Sequence, residues 1–342
     1  MLARVKVQDL RTPALVVDID AFDHNLDVMR AAHPGPRLRP HVKAHKTTEI
    51  ARRQADAGHL NFTCATPREV IGMAAAGLGG DLLLANEVVD PERLETLAAL
   101  TDARVTIAVD SDVTIDAAAR AGLHEVLVDV NVGLPRCGCD PEDAGRLADH
   151  ARARGLNVRG VMGYEGHIIG VEDRGLRSTE TEKSMQLLLR AGELAGGDIV
   201  SAGGTGTWDI NVWANEIQAG SYVLMDNAYA HLDMPFQRAM HVSATVVSVS
   251  KGGTVSSGGW AVADCGLKAL GMDHGDPVID GSIVWSVNDE HVIFSPEEPV
   301  AIGERIKVWP SHIDPTVAYH ERMQVAQGDD VVETWEVDLR GW

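Results

Sequence analysis

The sequence predicts an α/β fold, a (β/α)8 TIM-like barrel followed by a β-rich domain. Three observations predict it. Between residues 38 and 218, short β-branched runs alternate with longer amphipathic stretches, the pattern of a parallel sheet covered by helices. The runs number eight, as a closed barrel requires. After about residue 240 the helical period disappears, and strand-like runs punctuated by turn residues replace it. An open, doubly wound sheet is the alternative, because very short strands are easily miscounted.

The eight runs are 38–42, 61–64, 81–84, 104–109, 125–130, 157–162, 198–201 and 216–218. Helical stretches between them include 47–57, 67–76, 91–100, 111–121, 141–153 and 179–194. Several open with a capping residue and a proline in the first turn (Thr66-Pro67, Asp90-Pro91, Asp140-Pro141). The later strands are expected at 241–250, 281–287, 305–309 and 331–339, separated by Gly-Gly, Asn-Asp and Gly-Asp-Asp turns. An early strand at 14–18 is assigned to the same domain. The expected division is therefore a barrel at 20–238 and a β domain at 1–19 and 239–342.

Composition narrows the partners. With 50 acidic against 30 basic residues, the formal charge is −20, which repels phosphate backbones and anionic lipid headgroups. Neither nucleic acid nor a membrane is expected as a partner. An anionic ligand would need local donors to offset that field. The first ten residues lack the apolar core of a signal peptide, and no window reaches the roughly 18 apolar residues of a membrane span. The cysteines, Cys64, Cys137, Cys139 and Cys265, show no disulfide framework. Reduced thiols in a cytoplasmic protein are the expectation.

Barrel active sites lie at the C-terminal ends of the strands, and the chemically loaded residues fall there. Lys43 closes the first run, Asn131 to Gly138 follow the fifth, and Gly163-Tyr-Glu-Gly-His167 follow the sixth. Ala202-Gly-Gly-Thr-Gly-Thr207 follow the seventh, and Gln218-Ala-Gly-Ser221 end the eighth. A buried strand-end lysine is desolvated, which lowers its pKa and suits it to a carbonyl partner. Lys46, in the following loop, competes with Lys43 for that role. By strand alternation His41 would share a side with Lys43. The glycine cluster after the seventh run lets backbone N–H groups approach a phosphate, with Thr205 or Thr207 adding a hydroxyl. Taken alone it is equally an ordinary glycine turn. In 310–316, Pro-Ser-His-Ile-Asp-Pro-Thr, an extended chain would put His312 and Asp314 on one face, an imidazole and a carboxylate suited to a divalent metal. Alone this too reads as a polar turn.

Together these segments resemble the D-threonine aldolase and eukaryotic-type D-serine dehydratase family of fold-type III pyridoxal-phosphate (PLP) enzymes. The resemblance rests on 12–18 (TPALVVD), 39–46 (RPHVKAHK), 203–207 (GGTGT), 216–226 (EIQAGSYVLMD), 264–270 (DCGLKAL) and 311–316 (SHIDPT), in family order. It implies an alanine racemase-like barrel, a C-terminal β domain and a homodimer. Lys43 matches the Schiff-base lysine, and Arg136 matches the arginine facing the cofactor's phenolic oxygen. Gly203, Gly204, Thr205, Gly220, Ser221 and Tyr222 match the phosphate-binding stretch, and Gln218 the position facing the pyridine nitrogen. Tyr164 and His167 are the substrate-side acid/base candidates, with Tyr164 also against the cofactor. His312 and Asp314 match the metal pair. In this family His-x-Cys goes with zinc and dehydration, His-x-Asp with manganese and aldol cleavage. A carboxylate favours Mn²⁺ or Mg²⁺ over Zn²⁺. The implied activity is cleavage of a D-3-hydroxy amino acid to glycine and an aldehyde. The alternative is dehydration of D-serine or D-threo-3-hydroxyaspartate.

Overall fold

The computed structural model describes residues 5–342. Strand β1 (Ala14–Asp18) and helix α1 (Ile19–Ala32) open the chain. Seven parallel strands follow: β2 (Asn61–Cys64), β3 (Asp81–Leu84), β4 (Val105–Val109), β5 (Glu125–Asp129), β6 (Asn157–Met162), β7 (Ile199–Ala202) and β8 (Glu216–Ile217). They pair in sequence order. Their residues are almost continuously buried, as expected for a parallel sheet under helices. Leu83, Ala108, Leu127 and Met162 pack as one apolar cluster from consecutive strands.

The first expected strand takes another form. Residues 38–41 join the two edges of this sheet by single parallel bridges, Leu38 with Ile217 and His41 with Thr63. Arg39 N–H donates to Ile217, and Thr63 N–H donates to the Pro40 carbonyl, each at 2.9 Å. Pro40 has no N–H of its own, so the ladder stays broken while the ring still closes. Residues 42–44 then form a 3-10 turn. Lys43 therefore follows a bridged segment and does not end a strand, and the alternation argument pairing it with His41 fails. His41 instead accepts the Lys43 N–H through Nδ1, at 3.4 Å.

The covering helices are α2 (Thr48–Asp56), α3 (Pro67–Ala75), α4 (Pro91–Ala98), α5 (Asp112–Ala121), α6 (Ala144–Ala153) and α7 (Arg174–Ala195). Thr66 and Asp90 cap α3 and α4 as read, accepting the N–H groups of Glu69 and Arg93. Asp140 accepts from Glu142 and opens a 3-10 turn at Pro141–Asp143 that leads into α6. Helix α7 starts well before residue 179 because Asp173 caps it through Leu176 N–H.

The N-terminal end of the barrel is tied by buried charge. Arg39, 1% exposed, donates from Nε and Nη2 to Glu216 and from Nη1 to Asp81. Arg159 grips both oxygens of Asp81, at 2.8 and 2.7 Å.

The remaining strands are β9 (Met240–Val249), β10 (Ala261–Ala263), β11 (Ser282–Val287), β12 (Val292–Pro296), β13 (Arg305–Val308), β14 (Arg322–Gln327) and β15 (Asp330–Glu336). A short helix, α8 (Ile313–Tyr319), interrupts them. The sheet runs β11-β12-β10-β9-β1-β14-β15, with β13 also on β9. Strand β1 pairs antiparallel with β9 and parallel with β14. Strands β10, β12 and β14 were not expected; β10 has three residues and β14 alternates polar and apolar side chains.

The described residues form two compact units: 29–43, 48–220 and 339–342 in one, and 5–28, 44–47 and 221–338 in the other. The boundaries thus differ from the expected 19/20 and 238/239. The first half of α1 stays with the β sheet because Phe22 packs edge-on against Trp335. Asn25 also donates to the carbonyls of Val223 and Gln237. Among the described residues no helix is long and apolar enough to cross a membrane.

Candidate active site

Because the barrel strands are parallel, the segments after each one share a rim. After β6, Tyr164 lies under the Arg136 guanidinium, whose carbon is 5.4 Å from the ring centroid. Tyr164 also lies against Gly204, where an added Cβ would sit 3.2 Å from the ring. The exposed His167 ring packs on Gly133; an added Cβ there would come within 2.8 Å of it. Thus Tyr164, Arg136 and Gly204 converge, and His167 joins the loop that carries Arg136.

Between Tyr164 and His167 stands a residue the sequence reading passed over. Glu165 is fully buried at the centre of the glycine loop. Its carboxylate accepts the Gly203 N–H at 3.1 Å, the Thr207 hydroxyl at 2.8 Å and Asn211 Nδ2 at 3.0 Å. The Gly204 N–H donates to the Thr207 hydroxyl. Gly203 and Gly204 therefore serve through conformation and missing side chains, since their amides are engaged within the loop. Gly203, at φ +85°, needs the left-handed region. Thr205 starts the next 3-10 turn and is buried. Only a lone acidic letter within Gly-Tyr-Glu-Gly-His could have signalled Glu165, and it does not differ from a solvated glutamate.

Beyond β8, Gln218 donates from Nε2 to the Ser201 hydroxyl at 2.9 Å, which fixes its amide at the strand end. Gly220 is buried behind it. Ser221 opens a 3-10 turn, and its side chain hydrogen-bonds Asp226. The Tyr222 ring is fully enclosed and packs on Phe236, so the ring offers no face to a ligand.

Two further carboxyl groups stand on the barrel rim. Asp129, ending β5, is pushed well above the usual carboxylate range by burial and by the hydrogen-bonded Glu87, with Arg136 acting in the opposite direction. All four cysteines are free. Glu87 and burial push the Cys137 thiol up to about 11, and burial with Asp129 pushes Cys139 up to about 12. Neither is poised as a nucleophile.

His312 and Asp314 come together differently from the extended reading. His312 precedes α8 in extended conformation and Asp314 lies in its first turn. His312 Nε2 is 3.7 Å from Asp314 Oδ1. Asp273 Oδ2 accepts the other ring N–H, Nδ1, at 2.7 Å, so Nε2 is the nitrogen that could ligate a cation. His274 stacks on the ring, with centroids 3.9 Å apart. An imidazole lone pair facing a carboxylate suits a cation between them: ligands about 2.1 Å from an ion and cis to each other lie roughly 3 Å apart. Asp226 is the third member, its ligand atom within 4.8 Å of those of His312 and Asp314. Burial and the facing Asp314 push its carboxyl up to about 6. Asp226, Asp273 and His274 were not singled out from the sequence, since only the folded chain brings them to His312.

The barrel with its glycine-rich rim loops is a fold of the alanine racemase type. Residues 17–228 match the alanine racemase N-terminal domain, and residues 239–326 match a putative serine dehydratase domain. The chain belongs to the D-threonine aldolase/D-serine dehydratase family of lyases. It is 32% identical to the D-threonine aldolase of Arthrobacter sp., over 97% of this chain and 93% of that protein. It is 28% identical to the D-threo-3-hydroxyaspartate dehydratase of Delftia sp., over 97% and 98%. The crystal structure of D-threonine aldolase from Filomicrobium marinum superposes with a TM-score of 0.90 at 33% identity, covering 100% of this chain and 98% of that one.

Proposed function

We propose that this chain is a PLP- and divalent-metal-dependent aldolase that cleaves a D-3-hydroxy amino acid, such as D-threonine, to glycine and an aldehyde. One observation carries the choice: the group facing His312 Nε2 is the carboxylate of Asp314, where the dehydratase pattern of this family has a thiolate. With Asp226 close by, the donor set is hard and suits Mn²⁺ or Mg²⁺.

Lys43 is the amine that would hold the cofactor. The Thr205 turn and the Gly220-Ser221 backbone would hold its phosphate, Arg136 its phenolic oxygen and Gln218 its ring nitrogen. Bound PLP supplies an electron sink for the bond broken at Cα. His312 and Asp314 would hold the ion, whose charge would make the substrate β-hydroxyl more acidic. Overall, one proton moves from the β-oxygen to Cα as Cα–Cβ breaks. His167, exposed on its loop, would take that proton from the β-oxygen. Tyr164, oriented by Arg136, is the second acid/base group. Gln218, its amide held by the Ser201 hydroxyl, would offer the pyridine nitrogen a neutral partner rather than a carboxylate. The proposal includes a cytoplasmic homodimer, checked by a gel-filtration mass twice that of the chain.

A second reading has support in the match to the Delftia dehydratase, and the same groups could expel the hydroxyl. Incubation with PLP and D-threonine, with and without chelator, separates the two. Glycine plus acetaldehyde, lost on chelation, is the expected result. Ammonia plus 2-oxobutanoate would establish dehydration instead, and products indifferent to chelation would remove the metal from the reaction.

A further inference from the structure

The sequence pattern supplies two ligands for the ion, and an exposed ion held by two side chains is weakly fixed. The surroundings of Asp226 supply a third. The chain reverses just before it: the N–H groups of Leu224 and Met225 both turn back to the Ser221 carbonyl, at 3.2 and 2.7 Å. Met225 takes a left-handed φ of +62°, one of two such non-glycine residues among those described. The reversal places the Asp226 carboxylate, 2% exposed, against the His-Ile-Asp segment. Oδ1 accepts the N–H of Ile313, the residue between His312 and Asp314, at 2.5 Å.

That hydrogen bond alone does not require a charge, because the neutral amide oxygen of asparagine would accept it equally. A carboxylate this buried, with a second carboxylate facing it, is costly unless a cation lies between. The ligand atoms of Asp226, His312 and Asp314 lie within 4.8 Å of one another, close to the span of trans ligands around one ion.

We infer that Asp226 is the third protein ligand group of the metal site, adding negative charge to the ion through one oxygen while the other holds the His312–Asp314 segment in place. The inference rests on reading this site as metal-binding. Its consequence is a three-sided site whose remaining positions are left for water and the substrate hydroxyl.

The test uses holoenzyme stripped of metal and titrated with Mn²⁺, free ion being read by its EPR signal. Asp226→Asn keeps the acceptor for Ile313 and removes the charge. We expect a Mn²⁺ dissociation constant raised about tenfold or more, at least the loss seen for groups that only support a ligand. The metal-free melting temperature should not be lowered, since one of two facing buried charges is removed. Affinity within twofold of wild type would overturn the inference while leaving His312 and Asp314 as ligands. Wild-type protein that binds no Mn²⁺ would overturn both readings. Should the variant fail to fold, anomalous scattering from Mn²⁺-loaded wild-type crystals decides the matter. An ion within about 2.5 Å of an Asp226 oxygen supports it, and an ion held only by His312, Asp314 and water refutes it.

Discussion

The two ends of the barrel handle charge in opposite ways. At the N-terminal end Arg39, Arg159, Asp81 and Glu216 satisfy one another in a buried network. At the C-terminal rim the charged groups are spread over separate loops, and the buried Glu165 carboxylate spends its bonds shaping a backbone. One end is built for persistence and the other for chemistry. Stability and activity should therefore respond to different substitutions.

Lys43→Ala should break the rim most completely. We expect activity to fall by about 10²–10⁴-fold or more, the range supplied by directly acting groups, with loss of covalently held yellow cofactor and no change in melting temperature. Colour that stays covalently bound would place the attachment elsewhere. The mirror experiment is Arg39→Met, which strands Glu216 and part of Asp81 in a buried setting. It should cost about 3–5 kcal/mol in urea unfolding while turnover per folded molecule is kept. An equal loss of turnover would show that the two ends are coupled.

Glu165→Gln gives an intermediate case. The amide nitrogen cannot accept from Gly203 N–H, so the loop loses a buried acceptor. About a tenfold weaker PLP affinity is expected, equivalent to one hydrogen bond of about 1–1.5 kcal/mol, with kcat at saturating PLP little changed. The smallest effect is acid sensitivity of the sealed end. Burial would raise the Asp81 carboxyl, but hydrogen bonds and charge from Arg159 and Arg39 outweigh it and hold it at about 2, below its usual 3.8. A depressed carboxyl stabilises the fold above its unfolded pKa and loses that contribution as pH falls through its folded one. The urea midpoint should therefore drop between pH 3.8 and 2, with a shallower slope in Asp81→Asn.

Much of this division could be read directly from the residues. Runs such as Leu82-Leu83-Leu84 and Val126-Leu127-Val128 can be buried on both faces only in a covered parallel sheet. Proline after a capping residue marked the starts of α3 and α4. The reading failed where one residue overrides a pattern, as Pro40 does by withholding a donor from an otherwise strand-like run. It also failed where partners meet only through tertiary structure. Asp226, Asp273 and His312 are far apart in sequence, and no local period links them. Glu165 was hidden for a related reason: a carboxylate that orders backbone amides carries no pattern of its own.

Strand β1 lies between β9 and β14, and its parallel partner is drawn from residues 322–327. During synthesis the barrel sequence emerges complete while β1 still lacks that neighbour. The segment carrying His312 and Asp314 emerges just ahead of β14. The segment with His312 and Asp314 thus becomes available to fold only after the whole barrel sequence has emerged. A nascent chain arrested before β14 should already hold an ordered barrel, seen as resistance to limited proteolysis, while β1 still lacks its parallel partner.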